Sequence, residues 1–429
     1  MLVNKMANPR KVAVTALLKI ERDAAYSNIT LNNIFKEYEL SQQDKALVSA
    51  LVYGVLDRKI SLDYVLNRFM KTPFKKTAPF TLAVLRMGLY QIMYMDKIPS
   101  SAAVNEAVKL IKNSKENRNA GFVNAVLRAA TRAEKLLPEG NSAEELSVRF
   151  SCPLFIVNSF LHDYGLENTI NLLSSSLEAP PFTVRINTVK IGTEDFKQQL
   201  KNEELEYTET KFENSLIFPK GFDISASGLF KKGFFYAQDL ASQAAVEVLS
   251  PKENDRVLDM CAAPGGKSFT MATKMQNLGE IVACDLYESR VKLIADSAER
   301  LGISIIKPTV CDATEYNKAL GEFDCILCDV PCSGLGVIRR KPEIKYKDYP
   351  EFSELEDIQY RILCNAVKYL KQGGKILYST CTLRKAENEN AVNRFLCEHS
   401  NFQKEYEHTF MPHIDSTDGF YCALLTEKS

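Results

Sequence analysis

The stretch Asp259-Met-Cys-Ala-Ala-Pro-Gly-Gly-Lys-Ser268 limits what this chain can fold into more than any other. It follows a short apolar run, Arg256-Val-Leu-Asp259, that has the look of a buried strand, and precedes Phe269-Thr-Met-Ala-Thr-Lys-Met275, a helical pattern. Gly265 and Gly266 carry no Cβ, so a ligand can lie against the backbone while the free N–H groups of the helix start point at it. Twenty residues past Gly265 the next apolar run, Gly279-Glu-Ile-Val-Ala-Cys-Asp285, ends on an acid. That is the spacing at which a doubly wound sheet sets a carboxylate against a ribose. The loop is neither G-x-G-x-x-G nor G-x-x-x-x-G-K-[ST], which disfavours a dinucleotide or a triphosphate.

Strand and helix alternate from there nearly to the C-terminus. Strands are expected near 255–259 and 280–285, before Asp312, over Phe323–Asp329 and over Lys375–Ser379, with helices over Glu288–Leu301 and Ser353–Leu370. This order makes an α/β domain with a mostly parallel sheet. Ligands of such sheets bind outside the carboxyl ends of the strands, where Cys261, Asp285, Asp312, Asp329 and Cys381 all fall. Cys325, Cys328 and Cys332 have a spacing suggestive of zinc, but residues three apart in a strand face opposite sides, so no metal site is expected. Cys332 and Cys381 differ from the other thiols. Asp329-Val-Pro-Cys-Ser-Gly334 and Tyr378-Ser-Thr-Cys-Thr382 each set a cysteine just past a strand end, in loops that converge beside the pocket.

The first third is helical by pattern. Leu31, Ile34, Phe35 and Tyr38 form one stripe, Leu62, Val65, Leu66 and Phe69 a second, and Leu82, Leu85, Leu89 and Ile92 a third. Such amphipathic helices with short connections make an all-α bundle. The formal net charge of zero hides an asymmetry. Residues 1–135 hold 22 Lys and Arg against 11 Asp and Glu, leaving 32 of the 54 bases against 43 of the 54 acids for the rest. A basic module on an acidic body favours a polyanionic partner. A polar stretch from Leu136 to Glu144 has linker character, and residues 141–233 have the pattern of a small α/β subdomain. The expected domains are therefore 1–140, 141–233 and 234–429. With no run of eighteen apolar residues and no signal-peptide core, a cytoplasmic protein that binds no membrane is expected, its eleven cysteines reduced.

The loop Cys261-Ala262-Ala263-Pro264-Gly265-Gly266-Lys267 with its downstream acid resembles the S-adenosylmethionine site of the RNA cytosine-5 methyltransferases of the RsmB/NOP family. Ile98 to Ile111 and Gly121 to Arg128 resemble the NusB-like RNA-binding fold. The resemblance implies a Rossmann-type methyltransferase domain behind a NusB-like bundle and an RNA-contacting middle subdomain, with Phe234–Asp239 as the junction. It implies S-adenosylmethionine as methyl donor, the 261–267 loop on its methionine portion, Asp285 on its ribose and Asp312 on its adenine side. Carbon 5 of cytosine is a poor nucleophile, and a thiolate added at carbon 6 makes an enamine that can take the methyl group. In this family the Thr-Cys cysteine attacks and the Pro-Cys cysteine assists release, which makes Cys381 the nucleophile and Cys332 the release residue. Asp329 would then fix the base, and Lys267, with a helix start after Thr382, would favour the thiolate. Arg339-Arg340-Lys341 is expected to meet RNA phosphate. The domain order implies 16S ribosomal RNA; since the target base must leave its stack, that RNA is expected to be single-stranded or looped at the target, and a monomer is expected. Transfer RNA as substrate, or a non-catalytic ribosome-assembly factor, are the alternatives.

Overall fold

The apolar stripes of the first third fold as helices over Ser27–Glu37, Lys59–Phe69, Pro79–Tyr94, Ser100–Lys112 and Ala120–Ala130, joined by two more over Pro9–Asp23 and Gln42–Asp57. The computed structural model describes residues 7–23, 25–224, 226–346 and 352–428. Leu31, Ile34, Leu62, Val65, Leu66, Leu85, Leu89, Val104 and Ile111 all turn into one core. Arg86 is buried among them and is held by Asp63 through paired bonds of 2.7 and 2.8 Å. The polar stretch before residue 144 is tied down: Leu136 and Leu137 pack on the bundle, and Ser142 and Glu145 form a capping box on the helix Ala143–Arg149. The helical run Leu154–Ser175 breaks at Gly165, whose φ of 74° a side chain would resist.

The chain divides into two compact units, residues 1–178 with 338–348, and residues 179–337 with 349–429. The short segment 338–348 is therefore part of the helical unit. Within that unit Lys345 is buried and donates to the carbonyls of Asp57 and Ser151 at 3.0 Å each, while Ser27 donates to the Glu343 carboxylate through its amide and hydroxyl. Arg339-Arg340-Lys341, expected to meet RNA phosphate, leads into the buried turn Pro342–Tyr346, with Lys341 exposed and the two arginines half-buried.

In the second unit β1 (Phe182–Ile186), β2 (Thr208–Glu209), β3 (Ser215–Phe218) and β4 (Phe235–Ala237) form an antiparallel sheet in the order β2-β3-β1-β4. The segment expected as a junction, Phe234 to Asp239, supplies the edge strand β4 and then the N-cap of the helix Leu240–Leu249. The larger sheet holds β5 (Arg256–Asp259), β6 (Glu280–Asp285), β7 (Ile306–Val310), β8 (Phe323–Asp329), β9 (Leu370–Thr380), β10 (Phe402–Phe410) and β11 (Phe420–Glu427) in the order β10-β11-β9-β8-β5-β6-β7. Five strands pair in parallel, and β11 runs antiparallel to both of its neighbours, β9 and β10. One face packs on the helices Leu240–Leu249, Gly266–Lys274 and Glu288–Leu301, the other on Phe352–Ala366 and Glu389–Glu398. Cys325 belongs to the first face and Cys328 to the second, as the period of two requires. The chain leaves β5 toward β6 and returns on its other side with β8, so the topological switch point lies between β5 and β8.

Candidate active site

At the carboxyl end of β5 the backbone turns through Met260, whose amide bonds Leu327 O, and Ala262, whose amide bonds Cys284 O at 2.7 Å. The loop is thereby stitched to both neighbouring strands. Gly265 sits at φ 106°, and a Cβ there would come within 2.3 Å of the Phe269 ring, so only glycine closes this turn onto the helix Gly266–Lys274. The Cys261 side chain packs toward the core, and burial pushes its thiol well above the ordinary range, so what it brings to the loop is backbone. Ala262 is buried, Ala263 half-buried and Pro264 exposed.

Asp285, at the end of β6, is 3 % exposed. It accepts from the Ala263 amide at 3.3 Å and pairs with Arg290 at 3.3 Å, and Arg290 in turn donates to Ala263 O at 2.9 Å. Asp312, beyond β7, is exposed and holds its own turn by accepting from the Thr314 amide and hydroxyl, which lower its carboxyl below the usual range. Two buried groups beside the glycine turn were not singled out in the sequence. Ser268 donates to Asp259 Oδ2 at 2.6 Å, leaving Oδ1 without a partner among the described residues; burial pushes this carboxyl up to about 7. Gln238 accepts from Thr270 at 2.6 Å, leaving its Nε2 likewise unpartnered next to Gly266. A glycine cradle flanked by an unpaired acceptor and an unpaired donor fits the amino-acid end of S-adenosylmethionine.

The parallel pairing of β8 with β9 sets Asp329 opposite Ser379, whose hydroxyl donates to Oδ1 at 2.9 Å. Lys267 reaches across from the glycine turn to Oδ2 at 2.7 Å. Burial alone would pull the Lys267 ammonium down, yet Asp329 holds it above its ordinary value. Two loops carry the thiols. Val330 N bonds Ser379 O, and Gly336 N bonds Cys381 O at 3.0 Å, so the Cys332 loop lies along the Cys381 loop. The two Sγ atoms are 3.2 Å apart. Their hydrogen bond, then burial and the nearby Glu387 carboxylate, push Cys332 well above the ordinary thiol range, so it keeps its proton. The helix expected directly after Thr382 begins only at Glu389, behind a turn at Lys385–Glu387. Lys267 is paired with Asp329 at 2.7 Å.

The fold and its strand-end loop define a doubly wound methyltransferase that uses S-adenosylmethionine. Residues 246–426 match the family described as 16S rRNA methyltransferase RsmB/F, residues 7–132 the NusB family, and residues 152–225 a ferredoxin-like domain of RsmF/B-type methyltransferases. A probable ribosomal RNA small subunit methyltransferase B of Bacillus subtilis is 36% identical over 99% of this chain and 100% of its own length. One from Synechocystis is 31% identical over 98% and 99%. The crystal structure of PH0851 superposes with a TM-score of 0.83 at 25% identity, covering 99% of this chain and all of that one. The chain belongs to the ribosomal RNA small subunit methyltransferase B family, and joins a NusB domain to a methyltransferase domain.

Proposed function

We propose that the protein transfers the methyl group of S-adenosylmethionine to carbon 5 of a cytidine in 16S ribosomal RNA through a covalent bond between Cys381 and carbon 6 of the base. The observation that carries this reading is the pair of thiols 3.2 Å apart at adjacent strand ends, beside the Lys267–Asp329 ion pair. Cys332 is the member that keeps its proton, which leaves Cys381 to attack. Asp329 fixes the polar edge of the cytosine, and Lys267 stabilises the anionic forms of Asp329 and of the attacking sulfur. The bound cofactor supplies an electrophilic methyl group. Water then takes the proton from carbon 5, the electron pair of that bond restores the ring double bond, and the bond from carbon 6 to sulfur breaks to return the Cys381 thiolate, a release that Cys332 assists. Asp285 holds the ribose, Asp312 the adenine side, and residues 261–267 the methionine portion.

The division of labour follows residues 1–140 for RNA binding, 141–233 for RNA contact and 234–429 for chemistry, although the helices of 143–175 pack with the helical unit. A ribosomal substrate is supported by the names of the relatives, and the basic first third suits any RNA. Among the described residues no helix is long and apolar enough to cross a membrane.

Bisulfite mapping of 16S RNA from cells with and without the protein tests the reading, together with two variants. Cys381→Ala should abolish both the modification and any denaturant-resistant protein–RNA adduct. Cys332→Ala should still attack and should accumulate that adduct, and adding Cys381→Ala should remove it. An adduct in Cys381→Ala and none in Cys332→Ala would reverse the two roles.

A further inference from the structure

A fully buried carboxylate lies behind the two cysteine loops, at a position the reaction does not use. Glu387 is 0 % exposed and accepts four bonds: from the Ser333 amide at 2.9 Å, the Ser333 hydroxyl at 2.6 Å, Gln359 Nε2 at 2.9 Å and Arg384 at 3.0 Å. A carboxylate taken out of water is costly unless donors replace its hydration, and here each oxygen has two. Gln359, also 0 % exposed, donates through the same nitrogen to Pro331 O at 2.9 Å. The residues on both sides of Cys332 are therefore tied to Glu387, one directly and one through Gln359.

The next residue does the same for the other thiol. Asn388, buried, accepts from the Thr380 hydroxyl at 2.6 Å and donates to Thr382 O at 3.0 Å, so the residues on both sides of Cys381 are tied to it. Ser333 and Thr382 close the arrangement through a hydroxyl pair 2.7 Å apart, and Tyr378 anchors the hub by donating to Glu387 O at 2.7 Å. Consecutive residues of one turn thus bracket two cysteines that lie 49 positions apart in the chain. We infer that Glu387 and Asn388 are a positioning pair, Glu387 setting Cys332 and Asn388 setting Cys381 at the spacing that attack and release require. This rests on the cysteine roles proposed above. The negative charge at Glu387 has a second effect on the same side of the site, since it stands beside Cys332 and favours the protonated thiol.

The test uses the full chain with Glu387→Gln and Asn388→Ala, and Cys332→Ala as reference. Alkylation of Cys332 by iodoacetamide, followed by peptide mass spectrometry from pH 6 to 9, reads the thiol without RNA. Glu387→Gln should shift the Cys332 profile to lower pH, accumulate denaturant-resistant adduct on a 16S transcript at least tenfold above the parent, and leave S-adenosylmethionine affinity within threefold. Asn388→Ala, placed in the Cys332→Ala background, should cut adduct formation at least tenfold. A parental alkylation profile with parental turnover overturns the inference, and so does a loss of cofactor binding in step with activity, which marks a merely structural residue. Should Glu387→Gln not fold, Ser333→Ala removes one bond of the same carboxylate and is judged by the same readings. If Cys332→Ala itself gives no adduct, the cysteine roles fail while the alkylation profile still decides the positioning of Cys332.

Discussion

Asp285 ties the loop at the end of its strand through Ala263 and Arg290, and the proposal above also gives it the ribose of the cofactor. Hydrogen bonds to a charged group contribute about 1.5–3 kcal/mol, so Asp285→Ala should weaken S-adenosylmethionine binding by one to two powers of ten in a calorimetric titration. Binding within threefold of the parent would reject the assignment. Asp259 gives a pH signature. Burial raises its carboxyl from 3.8 to about 7, so the folded protein holds that proton more tightly than the unfolded chain does. The stabilisation by the protonated form is complete below about pH 4 and is lost as the pH rises through 7. Asp259→Asn keeps an acceptor for Ser268 and carries no charge. The Tm of the variant minus that of the parent should therefore grow between pH 4 and 7 and level off above, and a difference independent of pH would show that the carboxyl is not raised. Neither group was equally visible in the sequence: Asp285 stands at the spacing a ribose-binding acid requires, whereas Asp259 looks like any strand end until its burial is known.

Among the elements, strands and helices with a strong period were legible. The helix Glu288–Leu301 and the strands β6 and β8 fall where the apolar pattern puts them. The two antiparallel strands β10 and β11 did not stand out. β10 alternates charged and polar residues, buries only its end residues Phe402 and Phe410, and slips register between Lys404 and Tyr406, so no apolar period marks it. The expected end of the helix after Ser353 was also displaced: it stops at Ala366, and Leu370 already belongs to β9, whose Gly373-Gly374 resembles a loop in sequence. The loops between elements carry the tightest constraint. A Cβ at Gly336 would stand 2.0 Å from Gly419 O and 2.8 Å from Cys381 O. Gly336→Ala must push the Cys332 loop off the Cys381 loop, at about 1–3 kcal/mol in stability. Methyl transfer should fall at least tenfold with cofactor affinity held; full activity would mean that the two loops need no fixed spacing.

For the whole molecule the division of charge matters most. Deleting residues 1–135 is a poor test of RNA binding, because it would remove Ser27, which donates to the buried Glu343, and Asp57, which supplies one of the two carbonyls that hold the buried Lys345. Exposed cations make a cleaner one. Lys75, Lys76 and Arg118 lie on the surface of the helical unit, and replacing them by Ala removes charge without opening a core. Each that contacts phosphate should lower the slope of log affinity against log salt by roughly 0.7–0.9, with S-adenosylmethionine affinity unchanged. An unaltered slope would assign this charge to solvated surface.

What the sequence determined by itself is what neighbouring residues decide together: the strand, glycine turn and helix at 256–274, the amphipathic stripes of the first third, the acid twenty residues after Gly265, and the two strand-end cysteines. Each depends on a period of 2 or 3.6 or on the backbone freedom of one turn, and these are local. Only the tertiary structure decided that β9 lies beside β8, which brings Cys332 and Cys381 to 3.2 Å, that Lys267 reaches Asp329, that Glu387 and Asn388 stand behind both thiols, and that 338–348 joins the helical unit. These follow from strand order and register, set by the burial of whole faces against one another, and no stretch of neighbouring residues encodes which distant segment completes a face.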